Sequence, residues 1–263
     1  VSITSFPITS TLQGVGCYPG EDNQVLGMLG MHGTYEANNA MYDCDLMINV
    51  GARFDDRITG KIDEFSPKSK KIHIDIDPSS INKNVKVDLA LVGDVKFVLE
   101  KFVSVIKQRH PDFENSNKQK IAAWWGQIDT WRKKNSLGYI NSKKVIKPQF
   151  AVQRLYELTK AQDVFITTEV GQHQMWAAQH YKFDKPNRWM TSGGLGTMGY
   201  GLPAAVGVQV ANPGKLVIDI AGEASVLMTM QEMSTAVQHK LPIKIFILNN
   251  EYMGMDHEGQ GLV

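Results

Sequence analysis

The stretch Leu216-Val-Ile-Asp-Ile-Ala-Gly-Glu-Ala-Ser225 decides the fold class of this 263-residue chain. Its first five residues form an almost continuous apolar run that leads into a glycine turn. A second such run, Ile243 to Leu248, ends at Asn249-Asn250. Continuous β-branched runs are typical of parallel strands that helices cover on both faces. Between them, Ser225 to His239 carries Met and Leu at helical spacing, which predicts the crossover helix of a βαβ unit.

The same alternation of strands and helices runs through the rest of the chain. Further strands are predicted at Leu46 to Val50, Lys71 to Ile76, Leu89 to Val92, Val164 to Thr168 and Arg188 to Thr191. Further helices are predicted at Val95 to Lys107, capped by Asp94, at the Trp-bearing Ile121 to Trp131, at Gln149 to Leu158 and through Pro203 to Val206. The fold class is therefore α/β, with two doubly wound parallel-sheet domains. We expect a middle domain at 1–107, a connector at 108–147 and a second domain at 148–263.

Composition narrows the function. Lys plus Arg (28) nearly balance Asp plus Glu (27), so no overall field favours a nucleic acid or an anionic membrane surface as partner. No apolar run approaches the ~20 residues that span a bilayer. Cys17 and Cys44 lack metal-ligand spacing and fit a reducing, cytoplasmic compartment. The chain begins at Val1 without an initiator Met, so we expect a fragment.

Polar residues follow the two strands of the opening stretch. Gly222-Glu-Ala-Ser225 and Asn249-Asn250 fall at carboxyl strand ends, where open α/β sheets bind their ligands. A divalent cation on a diphosphate needs oxygen ligands, which Glu223, the Asn250 amide and the Tyr252 backbone carbonyl could supply. The helix that starts near Ser225 would point its free N–H groups at the same place. Read alone, the pattern also fits a capped helix and a turn-forming Asn pair.

The spacing resembles the thiamine-diphosphate motif, which is Gly-Asp-Gly followed by about 25 to 30 residues and Asn-Asn. In that motif the ends of parallel strands determine the spacing. Here Glu223 replaces the usual Asp and Ala224 the usual Gly, which leaves the geometry at the metal open. Thr168 to Gln179 and Thr191 to Ala205 resemble one branch of that superfamily, the acetohydroxyacid synthases (acetolactate synthases).

The resemblance implies a set of residues around thiamine diphosphate and Mg²⁺. Met198 would be the apolar support that keeps the two cofactor rings facing each other, and glycines would allow close backbone approach. By itself, His173 also fits a hydrogen-bonded histidine of the core or the surface. The set comprises Val170, Gly171, Gln172, His173, Gly196, Met198, Gly222, Glu223, Ala224, Ser225, Asn250, Tyr252, Gly254 and Met255, with Glu223, Asn250 and Tyr252 as metal ligands.

Leu26 to Gly33 and Gly51 to Arg57 resemble the FAD-containing members of the family. Arginines suit a pyrophosphate, and an aspartate at a strand end can accept from ribose hydroxyls. Read in isolation, Arg53 to Arg57 could also be a solvated ion-pair loop. Met31 and Asp56 are expected near the substrate channel. The implied FAD set is Thr11, Leu12, Gln13, Leu29, Gly30, Met31, His32, Gly51, Arg53, Asp55, Arg57, Asp75, Ile76, Asp94 and Val95.

The family decarboxylates pyruvate and joins the product to a second pyruvate or to 2-oxobutyrate, in branched-chain amino acid biosynthesis. Its cofactor-tuning glutamate lies on an N-terminal domain, so we expect no catalytic acid or base in this chain and no turnover by the chain alone. The expected assembly is a homodimer or tetramer of the full-length subunit with a small regulatory subunit. Alternatives are another thiamine-dependent lyase or carboligase, or a non-catalytic cofactor-binding fragment. The resemblance ends at Asp256, as a truncation or frameshift would explain.

Overall fold

The computed structural model describes residues 1–255, so the predicted departure at residues 256–263 lies outside the described residues. The chain forms two compact units. The first comprises residues 1–11 and 23–137, and the second comprises residues 12–22 together with the chain from 138 onward. Both are built from parallel strands and helices, which confirms the predicted fold class.

Two parallel sheets form the first unit. One pairs β1 (Ile8–Ser10) with β2 (Val25–Met28), and the other has the order β3 (Leu46–Val50), β4 (Lys70–Asp75), β5 (Leu89–Val92). Its helices are α1 (Tyr35–Asp43), α2 (Asp56–Thr59), α3 (Val95–Arg109) and α4 (Phe113–Arg132). Asp94 caps α3 as predicted, because its side chain accepts a hydrogen bond from the backbone N–H of Phe97 at 3.1 Å.

Helix α4 packs within the first unit. Its Trp124, Trp125 and Trp131 lie against a small core formed by Leu26, Ala37, Ala40 and Ile128. The indole N–H of Trp125 donates to the Ser5 carbonyl at 2.9 Å. The tryptophans therefore join α4 to α1 and β2, and their partners belong to the same unit.

The second unit contains one four-stranded parallel sheet with the order β7-β6-β8-β9. Its strands are β6 (Val164–Thr168), β7 (Trp189–Met190), β8 (Leu216–Ala221) and β9 (Lys244–Ile247). Its helices are α5 (Pro148–Thr159), α6 (Gln172–His180), α7 (Gly201–Ala211), α8 (Glu223–Leu227) and α9 (Glu232–Gln238).

Residues 12–22 join this unit through partly buried hydrogen bonds. The indole N–H of Trp189 donates to the Leu12 carbonyl at 2.9 Å, and the Tyr156 hydroxyl donates to Glu21 at 2.7 Å. These hydrogen bonds cross more than a hundred residues of sequence, so the local pattern gives no sign of them.

Burial of the central strands explains their sequences. All of β6 and nearly all of β8 are buried, with Ile166 and Ile220 fully inaccessible to solvent. Two cores, one on each face of the sheet, hold these strands: Ile166 and Ile220 belong to one, Phe165 and Val217 to the other. Coverage on both faces is the reason for continuous apolar runs without alternation.

One predicted helix is wrong as drawn. Instead of a single helix from Ser225 to His239, the chain forms α8, which begins at Glu223, and α9, with a turn between them. The backbone bonds across the turn reach three residues back, as from Glu232 to Thr229. Thr229 also gives its hydroxyl proton to the Gly199 carbonyl at 3.1 Å, which fixes the interruption.

Among the helices within residues 1–255, none combines the length and the hydrophobicity that crossing a lipid bilayer requires.

Candidate functional site

The carboxyl ends of β6, β8 and β9 meet at one edge of the second sheet. Thr168 is in register with Ile220, and Ala221 with Ile247, so the turns that follow these strands face one another. They line a cavity of about 130 Å³. Every residue of the predicted thiamine-diphosphate set lines it: Val170, Gly171, Gln172, His173, Gly196, Met198, Gly222, Glu223, Ala224, Ser225, Asn250, Tyr252, Gly254 and Met255.

Glycines allow the cavity wall to close around His173. A Cβ atom on Gly222 would lie 2.7 Å from the His173 Nδ1, and a Cβ on Gly171 would lie 2.7 Å from its Cε1. Real Cβ atoms do not approach so closely, so both positions require glycine while the imidazole keeps its place. At Gly222 this requirement concerns space alone, since its backbone is extended with φ −95°, whereas Gly171 also has φ +150°, which favours glycine.

His173 is a buried, neutral imidazole. Burial lowers its pKa to about 4, against the smaller opposing effect of a hydrogen bond to the Glu169 backbone. Its Nε2 atom is buried, and among the described residues it has no hydrogen-bond partner. A buried nitrogen left without a partner is uncommon and suits a group that bonds to a ligand.

The predicted metal ligands also come together, through a backbone amide. The Tyr252 N–H lies 3.1 Å from the Glu223 Oε1 and 3.2 Å from the Asn250 Oδ1, so one donor holds both oxygens. The Asn250 amide in turn donates to the Gln172 Oε1 at 3.4 Å. Within residues 1–255, no cluster of three or more His, Cys, Asp or Glu side chains could hold a metal. A cation here would therefore complete its coordination with other oxygens, as a diphosphate provides.

A loop between β7 and α7 brings Gly196 and Met198 to the cavity. Its beginning is fixed at Thr191, whose hydroxyl lies 2.6 Å from the Thr168 hydroxyl and accepts from the Gln174 amide at 2.6 Å. Gly196 adopts φ +68°, which favours glycine. The loop therefore begins at a buried, hydrogen-bonded residue, Thr191, and brings Met198, the predicted apolar support, to the cavity.

In the first unit, several residues of the predicted FAD set lie at the carboxyl edge of the β3-β4-β5 sheet. Gly51 follows β3 with φ +64°, Asp75 ends β4, and Asp94 with Val95 opens α3 after β5. Asp75 is buried and accepts from the Asp77 N–H at 2.9 Å. Ile76, by contrast, is exposed.

The segment after Gly51 is an exposed ion-pair loop. The Arg53 Nε donates to the Asp55 Oδ2 at 2.9 Å, and Asp55 also caps α2 by accepting from the Arg57 N–H at 3.1 Å. The Arg53 side chain is 63% exposed. The loop is compatible with both interpretations of its sequence. It contains a solvated ion pair, and its two arginines are accessible to a ligand such as a flavin pyrophosphate.

A second loop meets the first through its backbone. The Met31 N–H donates to the Arg57 carbonyl at 3.1 Å, and Gly30 exchanges two hydrogen bonds with the Asn38 amide. This brings Leu29 to His32 next to α2 and Asp56. Met31 is exposed. Thr11 follows β1 in the same unit, whereas Leu12 and Gln13 belong to the second unit, where the Gln13 amide donates to the Thr191 carbonyl at 2.9 Å.

Two family profiles match the chain. Residues 169–261 match "Thiamine pyrophosphate enzyme, C-terminal TPP binding domain", and residues 1–102 match "Thiamine pyrophosphate enzyme, central domain". The chain belongs to the thiamine pyrophosphate enzymes. The first match begins just before the cavity-lining segment that starts at Val170.

Among thiamine pyrophosphate enzymes, this chain is similar to acetolactate synthase large subunits. It is 46% identical to that of Haemophilus influenzae over 98% of the chain, and 45% identical to the isozyme 3 large subunit of Escherichia coli over all of it. Acetolactate synthase 1, chloroplastic, of Zea mays is 45% identical over 97% of the chain. The chain spans 44%, 45% and 39% of these three relatives.

The cavity-lining residues fit thiamine diphosphate and a divalent cation on the observations above. The unpartnered His173 nitrogen, the two glycines that clear space around it, and the converging Glu223 and Asn250 oxygens are the donor and acceptor chemistry that a metal-bound diphosphate requires. The exposed arginines and the buried Asp75 in the first unit fit the pyrophosphate and ribose of a flavin nucleotide.

Three further residues line the cavity without having been predicted: Trp176, Leu248 and Met253. Trp176 lies three positions after His173 on α6, so helical spacing puts both on one face. Leu248 is the residue before the Asn pair. Both signals were available in the sequence, whereas the position of Met253 follows from a turn that the sequence does not specify.

Proposed function

We propose that this chain is the central and C-terminal part of an acetolactate synthase large subunit. The second unit binds thiamine diphosphate with Mg²⁺, and the first binds FAD. The observation that carries the proposal is the gathering of the predicted cofactor residues around one cavity at the strand ends. The identity of 45–46% to acetolactate synthase large subunits supports it.

In this proposal each polar group around the cavity has a defined task. The neutral imidazole of His173 donates from its unpartnered nitrogen to a diphosphate oxygen, in the tautomer that carries the proton on that nitrogen. Glu223, the Asn250 amide oxygen and the Tyr252 carbonyl bind the cation. Glu223 is one methylene longer than the aspartate of the usual motif, and its carboxylate already lies beside Asn250 through their shared amide donor.

Met198 and the neighbouring apolar side chains orient the rings. When bound, thiamine diphosphate supplies the carbanion chemistry, and the protein supplies position and environment. An unbranched thioether fills an irregular gap beneath a bent ligand. Trp176, Leu248 and Met253 add apolar wall to the same cavity.

The flavin proposal rests on the first unit. Arg53 and Arg57 bind the pyrophosphate, Asp75 accepts from ribose, and glycines at positive φ, Gly30 and Gly51, let the backbone approach. Met31 and Asp56 border the substrate channel. Binding exchanges the Asp55 partner of Arg53 for phosphate, at small cost because that ion pair is exposed.

The substrates in this proposal are pyruvate and a second 2-oxo acid, pyruvate or 2-oxobutyrate, and the products are 2-acetolactate or 2-aceto-2-hydroxybutyrate for branched-chain amino acid synthesis. The complete protein works in the cytoplasm as a homodimer or tetramer with a small regulatory subunit. The catalytic acid–base group lies outside this chain. The two free cysteines support the reducing compartment.

The test is a chimera in which this chain replaces the matched segment of the Escherichia coli isozyme 3 large subunit. We expect it to form acetolactate from pyruvate with thiamine diphosphate and Mg²⁺, and to carry bound flavin. In the chimera, Glu223→Ala should weaken thiamine-diphosphate binding by at least about 100-fold, because Glu223 is the one carboxylate among the three proposed metal ligands, while flavin content is retained.

The matched control is Glu157→Ala, which removes an exposed carboxylate from α5 of the same unit. A folded chimera that binds both cofactors but forms no acetolactate would contradict the activity. Activity without flavin would instead indicate a flavin-free carboligase. If Glu223→Ala removed both cofactors together, the assignment of one cofactor to each unit would be wrong.

A further inference from the structure

The loop that carries Gly196 and Met198 ends at a fully buried carboxylate. Glu169 follows β6 directly and is 0% exposed. Its Oε2 accepts a hydrogen bond from the Gly199 N–H at 2.7 Å, and its Oε1 accepts one from the Leu202 N–H at 3.0 Å. Each oxygen therefore holds a different backbone amide at the start of α7.

The same bend is held from a second side. The Gly199 carbonyl accepts from the Thr229 hydroxyl at 3.1 Å, so Gly199 is fixed at both its amide and its carbonyl. Gly199 has φ +85°, a conformation that favours glycine. Two residues on, a Cβ at Gly201 would lie 2.6 Å from the Glu169 N atom, so the chain passes directly over the end of β6.

Glu169 has a second acid beside it. Asp219, in the middle of β8, is also 0% exposed, and its Oδ1 accepts from the Thr167 hydroxyl at 3.1 Å. Among residues 1–255, no ion pair involves Glu169 or Asp219. A buried carboxylate without a cation is stabilised by backbone N–H donors, and here these are the donors at the start of α7.

We infer that Glu169 is a positioning residue for the cofactor cavity: its two hydrogen bonds hold the Gly199–Leu202 bend and thereby set the position of Met198. This inference rests on the proposed cofactor site and assigns a role to a residue that does not line the cavity. The carboxylate acts through the backbone, because Met198 directly precedes the amide that it holds.

The test uses the full chain and compares the wild type with two variants, Glu169→Gln and Glu169→Leu. Glu169→Gln keeps one acceptor oxygen but turns an N–H₂ group toward the second amide, and Glu169→Leu removes both acceptors. Amide hydrogen exchange of Gly199 and Leu202, resolved by NMR, should accelerate by about tenfold at one of these amides in the Gln variant and at both in the Leu variant. Glu157→Gln, a surface change of the same kind on α5, should leave both amides as they are.

The second measurement is the affinity for thiamine diphosphate with Mg²⁺, read from the change in tryptophan fluorescence to which Trp176 of the cavity wall contributes. We expect the order Glu, Gln, Leu, with about a fivefold to tenfold loss at each step, at an unchanged urea midpoint for the Gln variant. Unchanged amide hydrogen exchange at Gly199 and Leu202 in both variants would overturn the inference, whatever the measured affinity for thiamine diphosphate. Faster exchange with unchanged affinity would also overturn it, by showing a structural role alone. A wild-type chain that binds no thiamine diphosphate would instead contradict the proposed function.

Discussion

The two sheet edges of this chain hold their polar groups in opposite ways. In the second unit, all of β6 and nearly all of β8 are buried, and the groups that follow them include buried residues such as Glu169 and His173. In the first unit, β3 is only partly buried, β5 is largely exposed, α3 has no buried residue, and the loop after Gly51 contains an exposed ion pair. Close packing therefore determines the carboxyl edge of the sheet in the second unit, and exposed charges determine that of the β3-β4-β5 sheet in the first unit.

This difference has an energetic meaning. Buried polar groups have pKa values and positions that neighbouring atoms fix, so a small change there is costly. Exposed ion pairs contribute little to stability and rearrange easily. The second edge should therefore respond strongly to mutation and pH, and the first weakly. The following predictions test that contrast.

The largest effect is expected at Asp219. Burial and then the nearby Glu169 raise its pKa to about 8, from an unfolded value of 3.8. Between these two values the folded state keeps a proton that the unfolded state has released, so stability falls as the pH rises. Asp219→Asn should remove this dependence, which amounts to about 1.4 kcal/mol per pH unit. The measurement is urea unfolding of the second unit between pH 5 and pH 8.

Asp163→Asn is the control for this pH series. Hydrogen bonds from Arg188 and then Lys215 lower the pKa of Asp163 to about 2. Its contribution to stability is complete above about pH 4 and is lost only as the pH falls toward 2. Its unfolding curve should therefore run parallel to that of the wild type between pH 5 and pH 8. Parallel curves for Asp219→Asn would contradict the prediction.

The next effect concerns packing. Ile220→Ala removes a fully buried side chain from β8, and we expect the second unit to lose about 2–5 kcal/mol of stability. Leu89→Ala on β5, at a side chain that is 46% exposed, should cost the first unit less than about 1 kcal/mol. Hydrogen exchange followed by mass spectrometry reports the two units separately. Equal losses would show that the two sheets are equally well packed in solution.

The smallest effect compares two glycines. Gly222→Ala places a methyl group against His173, so thiamine-diphosphate binding should weaken by about tenfold, or ~1.4 kcal/mol. Gly51→Ala meets only the Val95 side chain, at 3.9 Å, and its φ of +64° should cost about 1 kcal/mol of stability. Isothermal titration of both variants separates a steric effect on the ligand from backbone strain. If Gly51→Ala also reduced thiamine-diphosphate affinity tenfold, the steric explanation would fail.

Apart from β1 and β2, the sequence predicted the strands well because each is a short apolar run bounded by turn residues. The bounds Leu46–Val50, Leu89–Val92 and Val164–Thr168 are confirmed, and the fold class with them. The helix predicted from Ser225 to His239 was wrong because the interruption depends on Thr229 bonding to a residue thirty positions away. The joining of residues 12–22 to the second unit was missed for the same reason, since long-range hydrogen bonds have no local pattern.

The candidate site shows the same limit. The motif spacing predicted that the Gly222–Ser225 turn and Asn250 lie close together, because strand ends in a parallel sheet share an edge. Both line one cavity in the structure. The role inferred for Glu169 depends on which two amides its oxygens meet, and nothing in the sequence near it specifies Gly199 or Leu202. The sequence shows an acidic residue, Asp219, inside the apolar run of β8. It does not show that Glu169 lies beside it.

The amide shared by Glu223 and Asn250 would affect how fast and how tightly the proposed cation is taken up. Two side chains that would otherwise sample several rotamers are already held near one point by the Tyr252 N–H. Part of their conformational entropy is therefore lost before any ion arrives. The proposed cation would replace the Tyr252 N–H as the partner of both oxygens, so the loss of these hydrogen bonds would be part of the cost of its binding.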